Sequence, residues 1–175
     1  YLDTEAVYRQ FVYENYQTVD QGLEKTIAHL FDQDEFENTG IYSISQHIRD
    51  TLTKYMKYDE KTNTQSENVL EDFLNQKISG NDVLFASAAV EAFRHYNIPA
   101  RYVEGYLLKS DAIDEEGNAT LTSKDGHAWV EVYFDGMGWL PIDVTPGYYY
   151  DVYTLMNMVA TCLLYTSDAA DDSLR

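Results

Sequence analysis

The stretch GNDVLFASAAVEAF, residues 80–93, decides how the rest of the chain is read. Apolar side chains run almost all the way round it, the pattern of a helix buried on most sides, while Asn81 and Asp82 stand at its mouth. Glu91 and Arg94 mark the side expected to meet solvent. The stop is equally legible. Asn97 suits the left-handed position after a last turn, and Ile98-Pro99 cannot prolong the helix. From Pro99 onward the period changes to two. Residues 100–108 read as a strand, and Ala128, Val130, Val132 and Phe134 alternate with His127, Trp129, Glu131 and Tyr133 in a half-buried second. Asp135-Gly136-Met137-Gly138 supplies a turn. Residues 139–145 return as a third strand, with Pro141 favouring an edge or a bulge.

Upstream of this stretch the period is helical. After Thr18 and Asp20, Leu23, Ile27, Leu30 and Phe31 form one apolar stripe. Ser43 and Gln46 have capping-box spacing, and Ile44, Ile48, Leu52 and Met56 follow at four-residue steps. A polar loop over 59–67 leads to Asn68 and Glu71 and to the apolar set Val69, Leu70, Phe73 and Leu74, which Gly80 closes. Between the first two strands an acidic loop, about 109–126, belongs on the surface. Helices come first and an antiparallel sheet follows, which is an α+β domain.

Composition bounds the function. The 175 residues suffice for one domain with a real core, and 45% apolar against 24% charged content is that of a folded protein. Thirty acidic residues face twelve basic ones, for a net charge of −18. No Lys or Arg run offers a phosphate-binding surface, so nucleic acid is not an expected partner, and anionic membranes would repel this surface. No apolar run approaches the roughly 18 residues that span a bilayer. The chain opens at Tyr1 without a methionine, as a piece of something larger would. The single cysteine, Cys162, cannot form an internal disulfide.

Two stretches, GNDVLFASAAVEAFRHYNIPARYVEGY and GHAWVEVYFDGMGWLPIDVTPG, resemble the transglutaminase-like domain of the papain-like thiol superfamily over about residues 40–150. In that family a Gly-x-Cys opens the central helix and a strand pair carries a His and an Asp. The resemblance therefore implies a papain-like, transglutaminase-like fold, with His127 at the catalytic histidine and Asp143 at its orienting aspartate. At the nucleophile's position this sequence has Asp82. It also implies a module that lacks thiol acyl transfer and binds or supports within a larger protein. That protein would be extracytoplasmic or envelope-associated, with a peptide or glycan as the cleft's occupant and no cofactor. The resemblance divides the chain into a helical lead-in, 1–40, the domain itself, 40–160, and a tail. Residues 161–175, TCLLYTSDAADDSLR, have neither periodicity nor core pattern and read as disordered or foreign to the domain. Cys162 is given no role.

The residues themselves limit what Asp82 can do. The unpaired N–H groups at a helix N-terminus favour a carboxylate as they favour a thiolate, so Asp82 reads first as a cap, worth about 1 kcal/mol. As a nucleophile on a carboxamide it would give a high-energy mixed anhydride in place of a thioester. Register tests the other two residues. A two-residue turn at Gly136-Met137 would put Asp143 and His127 on opposite faces of the sheet. A three-residue turn, 135–137, sets Asp143 opposite Trp129 and diagonal to His127. If the three converge, two carboxylates beside one imidazole raise its pKa and make His127 a poor general base. Two alternatives stay open: an Asp-His-Asp hydrolase or transferase, and a metal site built from Asp82, His127 and Asp143. His29, His47 and His95 lack ligand spacing and read as surface residues. Tyr148-Tyr149-Tyr150 reads as packing before an aromatic groove, as do Trp129 and Trp139 before a cleft wall.

Overall fold

The computed structural model describes residues 2–31, 39–62, 66–76, 78–108 and 112–148. The tail, Cys162, Tyr149 and Tyr150 lie outside the described residues. The helix read from the opening stretch is α5, Asp82–His95, and it is the hub of the molecule. Earlier helices are α1, Leu2–Asn15, α2, Glu24–Leu30, α3, Ile41–Tyr55, and α4, Val69–Gln76. The main sheet consists of β3, Ala100–Tyr106, β4, Gly126–Phe134, and β5, Gly138–Ile142, in that order and antiparallel throughout. This is the α+β arrangement, helices first and an antiparallel sheet after them, that the sequence implied. The central helix packs on β3 and β4 with one side and on α2, α3 and α4 with the other. Phe85, Ala88, Ala89, Ala92 and Phe93 are fully buried there. Each buried Phe contributes about 1.5–3 kcal/mol.

The ends of α5 show why it holds this place. Asn81 caps it, its side chain accepting from the N–H of Leu84. Asn97 takes φ 57°, and the N–H groups of Asn97 and Ile98 close onto the carbonyls of Arg94 and Phe93, the pairing of a Schellman motif. Ile98, 7% exposed, packs back into the core that holds Phe93. Gly80, just ahead of the cap, is required by close approach. A Cβ there would lie 2.5 Å from the ring of Phe73.

Several expectations are corrected. Ser43 does not cap α3, which begins two residues earlier after Gly40; the Ser45 hydroxyl donates to the Ile41 carbonyl instead. The predicted stripe of Ile44, Ile48, Leu52 and Met56 is nevertheless buried. Glu91 and Arg94 do not face open solvent. Glu91 is 8% exposed and accepts from the N–H of Asp20, while Arg94 donates to the carbonyls of Thr18 and Ala100. These polar groups anchor the segment that joins α1 to α2, a contact between elements that helical periodicity cannot foresee. His95 and His47 are half-buried: His95 Nε2 lies 2.9 Å from the carbonyl oxygen of Phe31, and the His47 ring meets Phe31 edge-on. Of the three histidines set aside, His29 alone is exposed.

Two features were not read from the sequence: a small parallel ladder, and the way α1, inside the expected helical lead-in, packs on the sheet. A parallel two-stranded ladder joins β1, Lys57–Tyr58, to β2, Ser79–Gly80. The helix α1 covers the far side of the β4–β5 hairpin through aromatic contacts rather than an aliphatic stripe. Tyr8 meets Tyr133 at 6.0 Å, its hydroxyl accepts from Trp139 Nε1, and Tyr133 is thereby buried.

Candidate active site

The hairpin register places the histidine and aspartate together. Phe134 pairs with Gly138, so the loop is the three residues Asp135–Met137, with Gly136 at φ 76° and Gly138 at φ 98°. Extending the Val130–Ile142 pair by one step sets Asp143 opposite Trp129, on the side of the sheet that carries His127. The Asp143 carboxylate, 3% exposed, reaches His127 Nε2 at 2.6 Å with one oxygen and accepts from the N–H of Thr145 with the other.

Asp82 joins them from the helix. Its expected role as cap falls to Asn81, and Asp82 occupies the first helical position instead. One carboxylate oxygen lies 3.1 Å from His127 Nδ1 and accepts from the N–H of Ala128 at 2.8 Å. The three side chains therefore form a line, Asp82–His127–Asp143, spanning α5, β4 and the end of β5.

A short turn steers the chain into this geometry. Residues Ser123–Asp125 form one 3-10 turn capped reciprocally by Thr122 and Asp125, and the Asp125 carbonyl accepts from the N–H of Leu107. The strand carrying His127 begins directly afterwards. The Thr122-x-x-Asp125 spacing was the available signal for this turn.

The imidazole has acceptors at both nitrogens, and carboxylates can only accept. Both nitrogens therefore carry hydrogen, and the imidazolium is the state that fits. Burial opposes the charge, but hydrogen bonds to Asp143 and Asp82 outweigh it and lift the His127 pKa to about 9. Burial raises the carboxyl of Asp82, yet its bonds to His127 and Ala128 prevail and hold it below the usual range. An NMR titration of the His127 ring should find a midpoint about 2 units or more above an ordinary histidine. A midpoint near or below the ordinary value would show that the ion pairs do not form.

A cleft of about 550 Å³ opens beside the line, bordered by Asp82, Glu104, Gly105, Tyr106 and Ser123 among others. Gly105 opposes His127 across the β3–β4 ladder, and a Cβ on it would lie 2.6 Å from the Trp129 ring. Trp129 thus lies beside the site, while Trp139 packs against Tyr16 and Tyr133. Glu104 receives the hydroxyl of Tyr102. Tyr148 stacks on the imidazole and Tyr58 packs against Tyr148, and the sequence reading gave Tyr58 no role. Its two-residue strand carries no periodicity.

Chemically, the line is poor at taking a proton, because both imidazole nitrogens are occupied. Asp82 and Asp143 lie at opposite nitrogens of the ring and do not converge on one point, and among the described residues no group of three His, Cys, Asp or Glu side chains is placed to hold a metal.

This chain belongs to the transglutaminase-like superfamily, whose family model, Transglut_core, matches residues 32–144. It is 37% identical over 87 residues to Uncharacterized protein YebA of Bacillus subtilis (strain 168), covering 47% of this chain and 12% of that protein. It is 38% identical over 77 residues to the Protein-glutamine gamma-glutamyltransferase of Pseudomonas aeruginosa, covering 43% of this chain and 11% of that one. The chain thus spans about an eighth or less of these relatives. In fold it is similar to the crystal structure of the periplasmic domain of TgpA from Pseudomonas aeruginosa bound to ethylmercury. That likeness has a TM-score of 0.58 at 22% identity, over 77% of this chain and 49% of that one. Among the described residues no helix is long and apolar enough to cross a membrane.

Proposed function

We propose that this domain is a transglutaminase-like module without thiol acyl transfer, in which Asp82 stands at the nucleophile's place. His127 is then a fixed cation between Asp82 and Asp143, and the line is a polar staple beneath a binding cleft. The observation that carries this reading is the occupation of both imidazole nitrogens, at 3.1 and 2.6 Å, by carboxylate oxygens. A thiol mechanism needs a sulfur at the helix mouth and a histidine able to exchange its proton. Here the sulfur is replaced by an oxygen acid, which holds the His127 proton without being able to form a thioester.

The domain serves as a binding or structural part of a larger, extracytoplasmic protein, with a peptide or glycan in the cleft. The likeness to a periplasmic domain supports that location.

The test uses the chain with Cys162→Ser, which removes the lone thiol, incubated with a glutamine-containing peptide and a labelled primary amine. Neither an acylated protein nor an isopeptide product is expected by mass spectrometry. A covalent acyl adduct on the protein would overturn the proposal.

A further inference from the structure

The turn after Asp143 does more than end the sheet. Thr145, Pro146, Gly147 and Tyr148 form a β-turn closed by the Tyr148 N–H on the Thr145 carbonyl, with Gly147 at φ 91°. Proline at the second position and a left-handed glycine at the third define type II. The turn delivers the Tyr148 ring onto His127, with centroids 4.5 Å apart and planes within 27°. Tyr148 is fastened in turn. Its ring meets that of Tyr58 edge-on at 6.1 Å, and Tyr58 in turn meets Phe85 of α5 edge-on. Tyr58 itself sits on β1, held by the parallel ladder to β2 just before the α5 cap. Neither tyrosine borders the open cleft, which lies on the Glu104 and Gly105 side.

We propose that Tyr148 is a lid on the triad: a positioning residue, tied down by Tyr58, that seals one face of the His127 ring against water. The cleft side is left as the way in. An aromatic face over an imidazolium is also attractive in itself. The charged groups facing the ring are Asp82 from α5 and Asp143 after β5; burial, with Tyr148 and Asp82 nearby, pushes the Tyr58 hydroxyl above its usual range, so it is neutral. This inference rests on the ion-paired reading of His127 but not on the loss of acyl transfer.

The test follows the two ring N–H protons of His127 by NMR in the full chain, comparing Tyr148→Leu and Tyr148→Phe with the native protein. The phenylalanine variant keeps the stacked ring and loses only the hydroxyl. Exchange of the ring protons with water is expected to accelerate by about tenfold or more in the leucine variant and by less than about threefold in the phenylalanine variant. A melting temperature measured alongside separates local opening from general loosening. Unchanged exchange in Tyr148→Leu would overturn the lid while leaving the ion pairs standing. Absence of these protons in the native protein at mildly acid pH would overturn both together.

Discussion

Asp82→Cys, made with Cys162→Ser, is expected to yield a thiol that iodoacetamide alkylates at pH 6 about ten times faster than an ordinary cysteine. The geometry supplies two reasons for the acidity. Position 82 is the first residue of α5, where helix N–H groups favour an anion, and His127 Nδ1 lies 3.1 Å from the present carboxylate. Sulfur would take roughly the place of Cγ, about 1.2 Å behind the oxygen, and its larger radius recovers much of that distance. A thiol of pKa about 5 rather than 8.5 has roughly 300-fold more thiolate at pH 6. Its weaker nucleophilicity returns roughly 30-fold, which leaves the tenfold gain. The rate should change little between about pH 6 and pH 8, because the thiolate is already formed at the lower value. Alkylation that climbs with pH like a free thiol's would mean that the helix mouth and His127 no longer act on position 82.

The reason so much of this site was legible lies in two kinds of local signal. Helix α5 declared itself through burial on nearly every side and through Asn97, which only a left-handed stop explains. The hairpin declared itself through Asp135–Met137, because a loop of three residues and a loop of two predict opposite faces for Asp143. What stayed hidden depends on contacts between distant segments. Glu91 looked solvent-facing because its partner, the Asp20 N–H, lies 71 residues away. Tyr58 drew no role because its place arises from the β1–β2 pairing and from a turn ninety residues downstream. Asp82 was legible in position but not in orientation. Sequence spacing put a carboxylate at the helix mouth, yet Asn81 took the cap and freed Asp82 to turn toward β4. A cap and a triad member compete for the same residue, and only the neighbouring Asn decides between them.

Removing the other carboxylate should have the larger effect on stability. Asp143→Ala is expected to destabilise the domain by about 3 kcal/mol at pH 6, lowering its melting temperature by roughly 10 °C. Asp143 is 3% exposed and His127 7%, so the variant leaves a buried imidazolium with one carboxylate and an unpartnered Nε2–H. The ring can relieve the charge only by releasing its proton, and that surrenders the attraction to Asp82 as well. Asp143→Asn separates the contributions, because an amide oxygen still accepts from Nε2–H but brings no charge; about half of the loss is expected. The pH profile carries the sign. The His127 pKa is raised from 6.5 to about 9, so its stabilisation is complete below 6.5 and is lost as pH rises through 9. A shift of that size corresponds to roughly 3 kcal/mol. The Asp82 carboxyl is held below 3.8, so its share is present above that value and is lost as pH falls through its folded pKa. The native domain should therefore be most stable from about pH 4 to 6.5 and weaken toward pH 9, whereas Asp143→Ala should show a flatter alkaline limb. Denaturant unfolding across that range reads both features. If the alanine variant matches the native protein within about 0.5 kcal/mol at pH 6, the ion-paired line is an ornament of the cleft and not a staple of the fold.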